Sequence, residues 1–148
     1  MTTIAYRDGV LAADGRSTSG HLIVNDKTTK IHRLSDGALF ALAGNDAYEA
    51  PMLHALEEGG PLPAYDFDND GGFIAVLVEV DGTLKTYEGE GDFSYVTDQF
   101  AAFGSGADFA YGAMEMGATA IEAVSVAMRR DKNSGGQIHS EEPGYREP

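Results

Sequence analysis

The chain opens Met1-Thr2-Thr3-Ile4-Ala5-Tyr6, which places a hydroxyl one residue from an end. Most chain ends are poorly tied down and carry no chemistry, so on this stretch alone Thr2 is only the start of a strand. Three other stretches contain residue types that bind or react elsewhere. Asp66 to Gly71, Asp-Phe-Asp-Asn-Asp-Gly, copies the start of an EF-hand loop, where alternating oxygens and a glycine wrap a hard cation. The position of the bidentate glutamate holds Leu77 and a strand is expected to follow, so an acidic surface loop is the better reading. Gly104 and Gly106, between a strand and a helix, form half of a dinucleotide fingerprint, but Phe109 occupies the place of its third glycine. His21, His32, His54 and His139 have no zinc-ligand spacing. Neither a metal nor a cofactor is expected.

Composition narrows the partners. The 148 residues suit a single domain, 1–148, with a polar, proline-broken tail over about 140–148. Acidic residues outnumber basic ones 24 to 10, for a net charge of -14, and Arg129-Arg130 is the only basic cluster. Neither nucleic acid nor an anionic membrane suits such a surface. The absence of cysteine excludes disulfides, thiolate metal sites and a Cys nucleophile. The longest apolar run, Phe73 to Val78, is too short to span a bilayer, and the first twenty residues lack a signal-peptide core. A soluble, cytoplasmic protein is expected.

The elements that would carry these residues are mostly strands at first. Thr3–Tyr6 and Val10–Asp14 flank Asp8-Gly9, a strong short-range hairpin signal. Ala38–Gly44 reads as a buried strand, and Asp46–Glu58 as a helix with Tyr48, Met52, Leu53 and Leu56 near one face. Pro51 requires that helix either to begin regularly near Ala50 or to kink in its first turn. Further strands are expected at 73–80, 83–87, 93–96 and 100–103, the first pair turned by Asp81-Gly82. Helices then follow at Ala107–Met116 and Ala120–Arg130, with Gly117 as a C-terminal cap, Thr119 and Glu122 as a capping box, and two arginines at the favourable end. Gly135–His139 reads as a last short strand. Runs of strands separated from a pair of helices predict an α+β layered protein with antiparallel sheets.

Taken in order, the segments TTIAYRDGVLAADGRST, KTTKIHRL, ALAGN, FGSG before a helix and RRDKNSGGQI after one resemble the proteasome β-subunit and the related HslV peptidase, N-terminal threonine proteases of the Ntn-hydrolase group. The resemblance runs from Thr2 to about His139. The separations of Asp14 from Lys30, Lys30 from Gly44 and Asp131 from Ser134 look the same as in that family, and Gly89–Phe93 resembles HslV. It implies a four-layer αββα sandwich of two antiparallel sheets flanked by helices. It also implies that Met1 is removed, as suits a methionine before a small residue, so that Thr2 becomes nucleophile and base together. A threonine hydroxyl needs a base within reach, and a free α-amine, with a pKa of about 7.7–8.0, keeps a useful neutral fraction near neutral pH. A chain that keeps Met1 has only an amide nitrogen there and is inactive.

By the same resemblance, Lys30 stays charged beside Thr2 and Asp14 holds it, Gly44 supplies the oxyanion N–H, and Ser105, Asp131 and Ser134 position the amine and its proton path. Ser17, Thr28, His32, Leu42 and Asp46 would line the substrate pocket, a mix without a sharp preference. The implied activity is cleavage of peptides or unfolded proteins through an acyl ester. The implied assembly is a homo-oligomeric ring with sites facing an inner chamber, and an AAA+ ATPase is the candidate unfolding partner. Two departures stand out: the hairpin from Thr2 to Asp14 and the interval from Ser105 to Asp131 are both short, and shortened helices could weaken ring contacts. A catalytically silent assembly or scaffold protein that retains Met1, and an Ntn amidase for a small molecule, are the alternatives.

Overall fold

A computed structural model of the chain describes residues 2–65 and 72–144. The expected calcium-like run Asp66–Gly71 and the end of the expected tail, 145–148, lie outside them. The chain divides into two compact units, one made of 1–31 and 98–142, the other of 32–97 and 143–148.

The first unit carries a four-stranded antiparallel sheet. Strand β1 (Thr3–Arg7) turns into β2 (Val10–Ala13) through Asp8 (φ 52) and Gly9 (φ 79). Two successive positive φ values define the tight hairpin turn whose twist matches paired strands. Arg7 therefore faces Val10 and Ile4 faces Ala13, and Asp14 leaves the hairpin with its N–H on the Thr3 carbonyl at 3.2 Å. Beyond β2, residues Ser17–Ser19 (β3) and Leu22–Asn25 (β4) form a separate two-stranded ribbon, which the sequence reading did not anticipate.

Later in the chain, Phe100–Gly104 (β10) pairs with β1, and His139–Glu141 (β11) pairs with β2. The last strand therefore begins where Gly135–His139 was expected to end, and it takes in the first two residues of the expected tail. The cause is local. Gly136 has φ +75, and a Cβ there would lie 2.3 Å from the Asp26 carbonyl oxygen, so this stretch bends instead of pairing.

Helices α2 (Ala107–Glu115) and α3 (Ala120–Arg130) cover this sheet through alanines, with Ala5, Ala12 and Ala102 packed near Ala110, Ala120 and Ala123. Helix α2 ends on Gly117 (φ +99), whose N–H donates to the Met114 carbonyl while that of Ala118 donates to Ala113, the paired bonds of a Schellman cap. The capping box of α3 is formed as expected, Thr119 and Glu122 each bonding the other's backbone N–H.

The second unit holds a five-stranded sheet in the order β5 (Ile31–Arg33), β6 (Leu39–Gly44), β7 (Phe73–Val78), β8 (Leu84–Tyr87), β9 (Ser94–Val96). A 3₁₀ turn at Asp46–Tyr48, capped by Asn45, precedes helix α1 (Glu49–Glu58). Pro51 falls in the first turn of that helix, where the N–H groups have no intrahelical partner to lose. The helix packs Met52 against Leu34, Phe40, Tyr48, Phe73 and Tyr87. The α+β class with antiparallel sheets expected from the sequence is the class observed. Among the described residues no helix is long and apolar enough to cross a membrane.

Candidate active site

The first unit brings six of the expected residues into one polar cluster. Thr2, at the foot of β1, donates its hydroxyl to Asp14 Oδ1 at 2.7 Å and lies 2.5 Å from Lys30 Nζ. Lys30 Nζ also contacts Asp14 Oδ1 at 2.8 Å. The Lys30 side chain is only 10% exposed and that of Asp14 is fully buried, so neither behaves as a solvated surface charge. Asp14 Oδ1 further accepts the Thr3 N–H at 2.9 Å, and Oδ2 accepts the N–H groups of Arg16 (3.2 Å) and Gly135 (3.0 Å). Burial pushes the Lys30 ammonium below the ordinary lysine value, and the charge and hydrogen bond of Asp14 offset only part of that.

A second carboxylate closes the other side. Asp131, the C-terminal cap of α3, accepts hydroxyls from Ser105 and Ser134 on one oxygen, both at 2.6 Å, and the Asn133 N–H on the other. Burial raises its pKa, but these donors to the charged form outweigh that, and the net is a carboxyl below the usual range. Gly106 is the N-cap of α2, and the Ser105 hydroxyl before it serves Asp131 and lies 3.4 Å from the Thr2 carbonyl.

The glycines on either side of Ser105 have a steric reason. A Cβ on Gly104 (φ +98) would lie 2.0 Å from the Thr2 carbonyl oxygen, and one on Gly106 would lie 1.9 Å from Thr3 Oγ1. The half fingerprint is therefore a seat for the start of β1.

Ser17 and Thr28 also meet in this unit, their hydroxyls 2.6 Å apart. The other expected residues belong to the second unit. Gly44 ends β6 with φ +108, where a Cβ would lie 2.4 Å from the Gly72 carbonyl oxygen, so the backbone itself demands glycine there. His32 hydrogen-bonds Glu49 and stacks on Phe40. Leu42 lies partly buried in β6 and Asp46 is exposed in the 3₁₀ turn.

Four contributors escaped the sequence reading. Thr3 is fully buried and shares a 2.7 Å hydrogen bond with Ser134. Gly135 gives its N–H to Asp14, and Arg16 pairs with Asp26. The doubled threonine and the Ser-Gly-Gly run were the available signals. Among the described residues no group of three or more His, Asp or Glu could hold a metal ion.

An α+β unit that buries a threonine hydroxyl against a lysine and an aspartate defines a class of site, and comparison supplies the family. The proteasome subunit family matches residues 2–47. The chain is 34% identical to proteasome subunit beta 2 of Cenarchaeum symbiosum (strain A), over 88% of this chain and 76% of that protein. It is 29% identical to proteasome subunit beta 1 of Pyrobaculum aerophilum, over 91% and 86% respectively. This chain belongs to the proteasome β-subunit family. Among solved structures, Thiobacillus denitrificans BPH superposes with a TM-score of 0.69 over 97% of this chain and 98% of that one, at 18% identity, a likeness of fold alone.

Proposed function

We propose that the chain is a threonine peptidase that cleaves peptide bonds through an acyl ester on Thr2 once Met1 is removed. The observation that carries this reading is the placement of Thr2 Oγ1 at 2.5 Å from Lys30 Nζ and 2.7 Å from Asp14 Oδ1. In the proposed reaction Thr2 Oγ1 attacks the scissile carbonyl carbon and its proton passes to the liberated Thr2 amine. The tetrahedral adduct collapses, the C–N bond breaks, and the amine hands that proton to the leaving peptide nitrogen. Water then adds to the ester with the same amine as base, releasing the acid and restoring the hydroxyl. Lys30 keeps a positive charge beside the developing alkoxide, and its depressed pKa means that this charge is lost at a lower pH than for an ordinary lysine.

Ser105, Asp131 and Ser134 orient the amine in this scheme, a reading supported by their shared bonds and by the contact of Ser105 with the Thr2 carbonyl. The oxyanion role of Gly44 and the substrate-lining roles of Ser17, Thr28, His32, Leu42 and Asp46 rest on the family resemblance. So do the homo-oligomeric ring, the unfolded-peptide substrate and an AAA+ partner.

The test combines intact mass with turnover. Protein that has lost Met1 should hydrolyse fluorogenic peptides and take up one threonine-reactive boronate per subunit, and Thr2→Ala should lower turnover by about 10³-fold or more. Turnover that survives Thr2→Ala unchanged overturns the mechanism. Retention of Met1 in every molecule from the native host would favour a silent assembly protein, and labelling without peptide cleavage would favour a small-molecule amidase.

A further inference from the structure

Asp14 sets the positions of Thr2 Oγ1 and Lys30 Nζ through Oδ1, but a carboxylate is oriented only when both of its oxygens are held. Oδ2 is held by two backbone N–H groups, and one of them, that of Gly135, comes from a loop 121 residues further along the chain. Beside that loop lies a pair of residues outside the catalytic set. Arg16 donates Nε and Nη2 to the two carboxylate oxygens of Asp26, at 2.9 and 3.2 Å.

Each member of the pair also presses on the loop. The Arg16 guanidinium lies so close to Gly135 that a Cβ there would sit 2.4 Å from Cζ, and Gly136 meets the Asp26 backbone in the same way, with 2.3 Å to its carbonyl oxygen. The Asp26 carbonyl accepts the Gln137 N–H at 2.8 Å, and the Gly135 carbonyl accepts the Gly15 N–H at 2.9 Å. Residues 135–137 are therefore packed against the Arg16 side chain and the Asp26 backbone, and are tied further by the Gly15 N–H.

We infer that the Arg16–Asp26 pair is a positioning clamp, which presents the Gly135 N–H to Asp14 and through Asp14 fixes the geometry of Lys30 and Thr2. This rests on the threonine-peptidase reading for its kinetic consequence, but not for its structural one. The side chains of Arg16 and Asp26 are 22% and 43% exposed, and so open an ion pair contributes little to stability as such. Its value here is geometric: two contacts that would each be loose are locked to one another, in a site where small displacements of reacting groups are costly.

The experiment uses the full chain with Met1 removed and compares Arg16→Met, Asp26→Asn and the double variant. Arg16→Met should lower kcat about ten- to a hundredfold with KM within about twofold and little change in thermal midpoint. The double variant should lose no more than Arg16→Met, because both changes open one clamp. Arg16→Lys, which keeps the charge but not the two-pronged bond, should recover only part of the loss.

Independently of turnover, the Gly135 amide proton should resonate downfield, as a donor to a carboxylate, and move upfield in Arg16→Met and Asp26→Asn. Unchanged kcat in a folded Arg16→Met, losses that multiply in the double variant, or an unmoved Gly135 resonance each overturn the clamp. Should the wild type turn over no peptide, the threonine-peptidase reading falls while the amide resonance still decides the clamp. If Arg16→Met does not fold, Asp26→Asn and Arg16→Lys carry the same comparison.

Discussion

The two units solve the same packing problem with opposite materials. The second unit fills the space between sheet and helix with large rings, Phe40, Tyr48, Phe73 and Tyr87, and Tyr48 stacks on Phe73 at 4.1 Å between centroids. Aromatic burial of this kind yields much apolar area and a small bonus for ring geometry. The first unit packs helix on sheet through alanines, and every buried polar side chain among the described residues, Thr2, Thr3, Asp14, Asp131 and Ser134, lies in it. Buried polar groups are costly unless bonded, and no buried side-chain polar atom among the described residues lacks a partner. A folded chain gains nothing from such a cluster that apolar residues could not supply more cheaply. On the proposed function, the first unit holds the nucleophile and its buried polar partners, while the second supplies the large buried rings and, by family resemblance, the Gly44 oxyanion donor.

The comparison breaks most sharply at Asp14. Asp14→Asn leaves the Lys30 ammonium buried without its counter-charge, which is expected to cost about 3–5 kcal/mol. Denaturant unfolding should show that loss, and peptide turnover should vanish with it. A folded Asp14→Asn protein of wild-type stability would mean that the lysine is solvated and that the first unit's cluster is ordinary surface chemistry.

The matching change in the second unit separates stability from chemistry. Met52 is fully buried among the rings of that core, and Met52→Ala should cost about 2–5 kcal/mol through lost transfer energy and the cavity left behind. Turnover per folded molecule, measured well below the melting transition, should stay near wild type. A large loss of activity in protein that is still folded would show that the division of labour between the units is false.

How much of this could be read from the amino acids follows the same division. The elements whose signals are local were legible: the Asp8-Gly9 hairpin, the Thr119–Glu122 box and the Gly117 cap are each set by a few neighbouring residues. The β3–β4 ribbon was not, because Leu22, Ile23 and Val24 are exposed and show no burial alternation. The last strand was misplaced by four residues because the bend at Gly135-Gly136 is imposed by Arg16 and Asp26, more than a hundred positions away. The order and spacing of the segments pointed to Thr2, Asp14, Lys30, Ser105, Asp131 and Ser134, which lie together in one polar cluster, while the residues bonded to them were missed. The bonds of Thr3 to Ser134 and of Gly135 to Asp14 join distant segments, and no period or propensity encodes them.

The smallest of the expected effects depends on pH and sharpens the contrast without abolishing it. Asp131 is held below the usual carboxylate range: burial opposes its charge, but the hydroxyls of Ser105 and Ser134 and the N–H of Asn133 favour it more. A carboxyl whose folded pKa lies below its unfolded value adds stability that is fully present above the unfolded value, about 3.9, and is lost as pH falls through the folded one. Asp131→Asn removes this contribution together with charge-assisted bonds, at a cost of about 1–3 kcal/mol at neutral pH. Urea midpoints of wild type and variant should therefore differ at pH 7 and converge as pH falls below about 4, where the wild-type carboxyl takes up its proton. A difference that stayed constant across that range would assign the role of Asp131 to shape alone. One that vanished already near pH 6 would mean that its hydroxyl partners do not favour the ionised form, and the polar economy of the first unit would then rest on Asp14 and Lys30 only.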